Sequence, residues 1–232
     1  MQAVIIAGGK GTRMLKNFPN TPKLLISLKG KPFLDHIIEH LKTNEFQSII
    51  ICTGYLANKI KDYVERKDYG VLIKLTQEKK PLGTGGILNL VKDIIEEDFF
   101  LLFGDVYSEI NLKKMLAFHK KKKAVVTAAI HPSEHPKDSN LVKFNSDARI
   151  TKILKKPHTQ IPTNPYNLAA VYLVSKNIKK YLLAKTPYDF EHNLLTKLLD
   201  ENVPIYGYNT EELTMDFGTP ERLKELEKLL RK

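Results

Sequence analysis

A doubly wound α/β fold with a mostly parallel, Rossmann-like sheet is the architecture that the 232-residue chain predicts. Three features carry the prediction. Short continuous apolar runs alternate with segments of helical period, the joins between them are short, and the first run opens directly into a glycine-rich turn. Strands buried on both faces read as unbroken apolar runs rather than as an alternation. Alternating strands and helices imply a parallel sheet whose ligands lie beyond the carboxyl ends of its strands.

In order along the chain, Val4–Ala7, Ile49–Thr53, Val71–Leu75 and Phe99–Phe103 read as buried parallel strands. Between them, Phe33, Leu34, Ile37, Ile38 and Leu41 fall on one helical face, and so do Ile87, Leu88, Val91, Ile94 and Ile95. The second half is richer in strands, at Ala124–Ile130, Leu141–Phe144, Ile150–Leu154 and Ala169–Val174. A last helix runs from Pro220 to Leu230, with Leu223, Leu226 and Leu230 on one face and Thr219 placed to start it. No repeat or low-complexity linker interrupts the chain. It reads as one domain over 1–232, with a first part at 1–123 and a strand-rich extension at 124–232.

Composition narrows the function. The 42% hydrophobic content suits a soluble globular protein, and no apolar run approaches the roughly 20 residues that span a bilayer. The run Ala3–Ala7 is too short for a secretory leader, and the single Cys52 excludes an internal disulfide. A reducing cytoplasm is expected. The net charge of +11 raises the question of nucleic acid, but only five of the 37 basic residues are arginines, the residues that read bases bidentately. The run Lys120–Lys123 stands where a helix ends, has no interleaved aromatic residues, and reads as a solvated face. Neither nucleic acid nor membrane is expected as a partner. No exposed apolar face stands out, which leaves the oligomeric state open, a homo-oligomer included.

The turn after the first strand is Ala7-Gly8-Gly9-Lys10-Gly11-Thr12-Arg13, and Thr21-Pro22-Lys23 follows. Glycines let backbone N–H groups approach phosphate oxygens closely. Arg13 offers a planar fork of donors, and Lys23 a compact, mobile charge. Together they suit a triphosphate. A Walker A loop is excluded because Lys10 is followed by Gly11, and a dinucleotide fingerprint because no third glycine opens a helix. Asp105 closes the fourth strand, and its carboxylate can hold Mg²⁺ on phosphate oxygens or cap the next turn. His131, His135 and His158 lie in loops without a cysteine or a helix-spaced partner, which argues against zinc. No Gly-x-Ser-x-Gly elbow supports a serine nucleophile.

The glycine loop with Arg13 and Pro22-Lys23 closely resembles the signature of the sugar-1-phosphate nucleotidyltransferases, and further ordered motifs extend the resemblance from Met1 to Arg222. It implies the nucleotidyltransferase version of the predicted fold, with nucleoside triphosphate and sugar 1-phosphate as partners and Mg²⁺ as cofactor. By that resemblance Ala7, Gly8, Gly9, Gly11, Thr12 and Arg13 bind the nucleotide. Arg13, Lys23 and Asp105 are catalytic, and Asp105 with Asp216 holds the metal. Pro81-Leu82-Gly83-Thr84-Gly85-Gly86 resembles the base-binding loop, with Gly83 and Thr84 as contacts, although Thr84 could equally cap the helix there.

Glu78 stands where relatives read the base edge. An ionised carboxylate only accepts hydrogen bonds, and guanine presents N1–H and N2–H₂ side by side, so Glu78 fits GTP. Gln77 in a slipped register would suit uracil or thymine. Lys156 in Lys155-Lys156-Pro157 resembles the lysine that reaches the sugar phosphate, with Lys155 replacing the usual acidic residue. Leu168 stands where an asparagine is expected, which leaves Asn167 one residue early as a sugar ligand. Glu191 is expected to reach the sugar hydroxyls or to favour a helix N-terminus. Within the family, the Glu78 position, the His-Pro-rich loop and Asp216-Phe217-Gly218-Thr219-Pro220-Glu221-Arg222 are most similar to D-glycero-D-manno-heptose 1-phosphate guanylyltransferases. Two alternatives remain at this stage, a uridylyl- or thymidylyltransferase for a hexose 1-phosphate and a regulatory subunit that binds nucleotide sugars.

Overall fold

The computed structural model describes residues 1–230, and the fold is mixed α/β. The chain forms two compact units, one of 1–81, 101–109 and 213–230 and another of Leu82–Phe100 and Ile110–Glu212. This division differs from the contiguous one at 123/124. Long-range pairing is the reason, because the segments carrying Asp105 and Asp216 return to the first unit after excursions through the second.

In the first unit, β1 (Gln2–Ala7), β4 (Ser48–Thr53) and β5 (Leu72–Gln77) pair in parallel, and the end of β6 (Phe99–Phe103) lies beside β1. Ile49 to Cys52 of β4 are fully buried, and burial pushes the Cys52 thiol up to about 12, so it behaves as a small apolar side chain. The expectation of a buried strand fails at β5. It forms the edge of the sheet with Leu72 55% exposed, and an apolar run alone does not separate edge from interior.

Helix α1 (Phe33–Thr43) buries Phe33, Leu34, Ile37, Ile38 and Leu41, the face expected from their spacing. The Phe33 ring meets Phe217 edge-on at 4.3 Å between centroids. Asp35 of α1 accepts hydrogen bonds from Tyr63 and Lys67, at 2.7 Å each, and from Tyr69 at 2.8 Å. Burial alone would raise its carboxyl, but the bonds from Lys67, Tyr63 and Tyr69 outweigh burial and hold it below its usual value. That cluster ties α1 to α2 (Ala57–Glu65). Two short ribbons complete the unit, β2 (Ser27–Leu28) with β3 (Lys31–Pro32) and β7 (Val106–Ser108) with β13 (Thr214–Asp216). Helix α6 (Pro220–Leu229) starts as expected, with Thr219 capping the Arg222 amide and Pro220 in the first turn.

The second unit centres on β11 (Tyr166–Val174), antiparallel to β8 (Val126–Pro132) and β9 (Leu141–Phe144). β10 (Ile150–Leu154) extends β9, and β12 (Ile205–Asn209) runs parallel to β8. Helix α3 (Gly83–Val91) stops short of Ile94 and Ile95, which the helical spacing had included. Helix α4 (Leu112–Lys122) carries Lys120, Lys121 and Lys122 in the last turn, where they face the negative end of the helix dipole. One turn of π-helix, Phe190–Leu195, leads into α5 (Thr196–Asp200). Among the described residues no helix is long and apolar enough to cross a membrane.

The β11–β8 register shifts between Leu168 and Tyr172, and Ala170 within that shift has φ +54°. A left-handed alanine costs about 1–2 kcal/mol, and glycine avoids that cost while losing about 0.5–1 kcal/mol of chain entropy. Ala170→Gly is therefore expected to stabilise the protein by about 0.5–1 kcal/mol, measured as a higher midpoint in thermal and urea unfolding. An unchanged or lower midpoint would show that the bend carries no strain.

Candidate active site

The parallel register of the first unit ends three strands side by side. Ala7 pairs with Thr53, and Thr53 with Gln77, so the next residues, Gly8, Gly54 and Glu78, share one edge. The Glu78 amide donates to the Thr53 carbonyl at 2.9 Å, and the Tyr55 amide to the Gly8 carbonyl at 3.2 Å. The contacts leave no room for a Cβ unless a neighbour moves, the Glu78 side chain at Gly8 and backbone at Gly54. A Cβ on Gly8 would stand 2.2 Å from Glu78 Oε1, and one on Gly54 would stand 2.7 Å from the Gly8 carbonyl oxygen. The Glu78 carboxylate thus lies against the glycine loop, whereas Gln77 is the last residue of the strand ladder.

Beyond Gly8 the loop presents Gly9, Lys10, Thr12 and Arg13 to solvent, with Ala7 and Gly11 half-buried. Met14 anchors it, buried at 2% exposure, with its amide on the Gly11 carbonyl at 2.8 Å. The Arg13 guanidinium extends across the chain at Gly218, where a Cβ would stand 2.9 Å from Nη2.

Lys23 opens a 3₁₀ turn, Lys23–Leu25, directly after Pro22, and donates to Asp105 at 2.8 Å. Asp105 follows β6 and leads into β7. Through the β7–β13 ribbon, Asp216 pairs with Val106, and the Phe217 amide donates to the Asp105 carbonyl at 3.0 Å. The two predicted metal ligands therefore occupy neighbouring backbone positions. Asp216 forms an ion pair with Arg222 and accepts from the Gly218 amide at 3.1 Å. Among the described residues no group of three or more His, Cys, Asp or Glu side chains could hold a metal. An ion bound here would complete its shell with phosphate oxygens and water, and that donor set of carboxylates plus phosphates fits Mg²⁺.

The second unit gathers the residues expected on the sugar side. Lys156 is exposed, and its ammonium donates to the Asp138 carbonyl at 2.6 Å; Lys155 donates to the His192 carbonyl at 2.6 Å. Glu191 lies in the first turn of the helical segment Phe190–Leu195, one of its two expected settings. It is 9% exposed and turned inward, with one carboxylate oxygen accepting from the Tyr172 hydroxyl and the other from the Asn140 amide. Burial pushes its carboxyl up. Because the Asn140 nitrogen must face the carboxylate, its oxygen faces His192 Nε2 at 3.0 Å, so that imidazole nitrogen carries the hydrogen. Asn167 is buried beside His131, at 3.3 Å, and donates to the Leu168 carbonyl at 3.1 Å.

Thr84 does not cap α3. Its hydroxyl donates to Asp189 at 2.7 Å and accepts from the Phe190 amide at 2.9 Å. Gly83 lies under the Tyr188 backbone, where a Cβ would meet the carbonyl oxygen at 2.3 Å.

The first unit thus brings together Gly8, Glu78, Lys23, Asp105 and Asp216 as expected, and adds Gly54, Gly218 and Arg222. The second adds Asn140 and Tyr188–Phe190. Nothing marked Gly54 beforehand beyond a single glycine after an apolar run, and the partners of Asn140 and Asp189 are distant in sequence. A separate cleft of about 240 Å³, lined by Phe33, His36 and His40 of α1 and by Val106, Tyr107 and Glu109, contains none of the predicted site residues.

This arrangement, a bare glycine loop beyond a parallel sheet with a lysine–aspartate pair at its side, accords with the family match. Residues 2–232 match the nucleotidyl transferase family, and the chain belongs to it. It is 28% identical over 232 residues to the D-glycero-alpha-D-manno-heptose 1-phosphate guanylyltransferase of Aneurinibacillus thermoaerophilus, covering 99% of this chain and 98% of that one. It is 29% identical to the mannose-1-phosphate guanylyltransferase of Mycobacterium tuberculosis and 30% identical to the bifunctional protein GlmU of Methanococcus maripaludis, covering 95% of this chain in both cases. The chain spans 62% and 52% of the length of those two relatives. Among solved structures, HddC from Yersinia pseudotuberculosis superposes with a TM-score of 0.85 at 24% identity, covering 99% of each chain. At that identity the likeness speaks for the fold.

Gly54→Ala is expected to weaken GTP binding at least about tenfold, because the methyl group must displace either the Gly8 carbonyl or the Glu78 carboxylate. Titration calorimetry with GTP tests this, with far-UV circular dichroism confirming the fold. Wild-type affinity would show that the close approach does not matter to the nucleotide.

Proposed function

We propose that the chain transfers a guanylyl group from GTP to a sugar 1-phosphate, with D-glycero-D-manno-heptose 1-phosphate as the acceptor, giving a nucleotide sugar and pyrophosphate. The observation that carries the reading is the carboxylate of Glu78 held against Gly8, where an acceptor pair can take the N1–H and N2–H₂ of guanine. The matching guanylyltransferases support it, most of all the heptose enzyme that this chain covers almost end to end. Supply of GTP makes the cytoplasm its compartment.

The reaction is an in-line attack of a sugar phosphate oxygen on the α-phosphorus. A phosphate monoester with a second pKa near 6 is largely a dianion at neutral pH, so no protein base is needed. Catalysis is positioning and charge neutralisation. The backbone N–H groups of the loop at Gly8, Gly9 and Gly11 hold the triphosphate. Arg13 grips the leaving pyrophosphate with its fork of donors, and Lys23 exchanges Asp105 for a phosphate oxygen as charge shifts during transfer. Lys156 brings in the sugar phosphate. Asp105 and Asp216 would hold Mg²⁺, which supplies Lewis-acid neutralisation at the α-phosphate.

Pyrophosphate release measured with GTP, UTP, dTTP and CTP against heptose and mannose 1-phosphates tests the reading. GTP is expected to be favoured, and a preference for UTP or dTTP would move the enzyme to the uridylyl or thymidylyl class. Glu78→Gln is expected to lower kcat/KM for GTP about 10- to 100-fold and to narrow its lead over UTP, since an amide loses one acceptor of the pair. Asp105→Asn should leave a folded protein with kcat lower by about 10²–10³, and near-normal turnover would remove Asp105 from the metal role.

A further inference from the structure

We propose that Thr84 and Asp189 form a joint through which the glycine loop at Gly83–Gly86 positions the sugar-phosphate residues, so that Thr84 governs the sugar substrate rather than the nucleotide. The inference rests on the reading of Lys156 as a sugar-phosphate ligand. It follows from how completely the loop is taken up by the 188–190 segment. The amides of Gly85 and Gly86 donate to the Tyr188 carbonyl at 3.0 and 3.2 Å, and the Tyr188 amide donates to the Leu82 carbonyl at 3.0 Å. A Cβ on Gly85 would stand 2.4 Å from the Tyr188 ring, so the glycines are needed to admit this segment. The Thr84 hydroxyl uses its one proton on Asp189 and a lone pair on the Phe190 amide.

Asp189 carries the connection onward. One of its oxygens takes the Thr84 hydroxyl, and the other caps the π-helical turn by accepting from the His192 amide at 2.7 Å. That turn holds Glu191 and His192, which fix the Asn140 side chain between them. Asn140 in turn accepts from the Leu168 amide at 3.2 Å through its carbonyl, and its side-chain oxygen faces the Lys156 amide at 3.5 Å. The Lys155 ammonium closes the circuit on the His192 carbonyl. An unbroken chain of polar contacts therefore leads from Thr84 to the Lys155 side chain and the Lys156 amide. Each of these contacts pairs one donor with one acceptor, as in a network that holds one geometry. Loss of the Thr84 hydroxyl leaves Asp189 and the Phe190 amide each short of a partner and releases the turn.

The test compares Thr84→Val and Thr84→Ser with the wild type. In Thr84→Val the KM for D-glycero-D-manno-heptose 1-phosphate is expected to rise about tenfold, and the KM for GTP to stay within about twofold; Thr84→Ser restores the wild-type value. If valine is not accommodated, Thr84→Ala deletes the same bonds without added bulk. A rise confined to GTP, or no change in either KM, overturns the proposal. Amide hydrogen exchange without substrates decides the joint independently of the reaction assigned to the enzyme. Faster exchange at 188–195 in Thr84→Val supports it, and unchanged exchange overturns it, even should the wild type release no pyrophosphate with these substrates.

Discussion

Strand register is the constraint on which the first unit depends. Because β1, β4 and β5 are parallel and end together at Ala7, Thr53 and Gln77, the chain must turn at three adjacent points, and the residues that follow are forced into contact. Parallel sheets place their ligands at that edge for this reason. Here the crowding also sets the chemistry. A side chain on Gly54 would meet the Gly8 backbone, one on Gly8 would have to push the Glu78 carboxylate aside, and the Glu78 backbone is held by its bond to Thr53 directly after β5. The same sterics that leave loop amides open to phosphate fix the distance of a carboxylate from them.

Around that edge, charge is arranged in advance. Lys23 pairs with Asp105 and Arg222 with Asp216, and each of these side chains is between 18% and 39% exposed. Ion pairs at such exposure contribute at most about 1 kcal/mol to stability. They are therefore weak reasons for the fold to persist and easy pairs to exchange when an anion or a cation arrives. A site that must accept a highly charged substrate and release a charged product needs counter-ions whose reassignment costs little. The excess of lysine in the whole chain, +11 in net charge, adds a field favourable to anions.

Much of this was legible in the sequence wherever the signal was local. The strand–turn sequence at Ala7–Arg13, the aspartate at the end of β6, the apolar face of α1 and the Thr219-Pro220 start of α6 each rest on neighbours within a few residues. What escaped depends on partners far along the chain. Gly54 reads as an ordinary turn glycine until its contact with Gly8 is known. Thr84 reads as a base contact or a helix cap, yet its hydroxyl's partners lie more than 100 residues away. Glu191 reads as a sugar ligand or a carboxylate at a helix start, and only the inward turn of the π-helical segment puts it against Tyr172. The edge position of β5 was invisible for a related reason, since periodicity reports burial of a strand and not its rank in the sheet.

The departures from the family pattern in the second unit have structural replacements. Where relatives are expected to carry an acidic residue before the sugar-phosphate lysine, Lys155 reaches the His192 carbonyl and so fastens its own segment to the turn that holds Glu191. Where the pattern carries an asparagine on β11, Leu168 instead donates its amide to Asn140. Ala170, two residues on, is left-handed. The two departures meet at Asn140, which receives Leu168 through its carbonyl and faces His192 and Glu191 through its side chain. On the proposed reading, the specificity for an acceptor depends less on individual side chains offered to hydroxyl groups than on where this bonded frame holds Lys155 and the Lys156 amide.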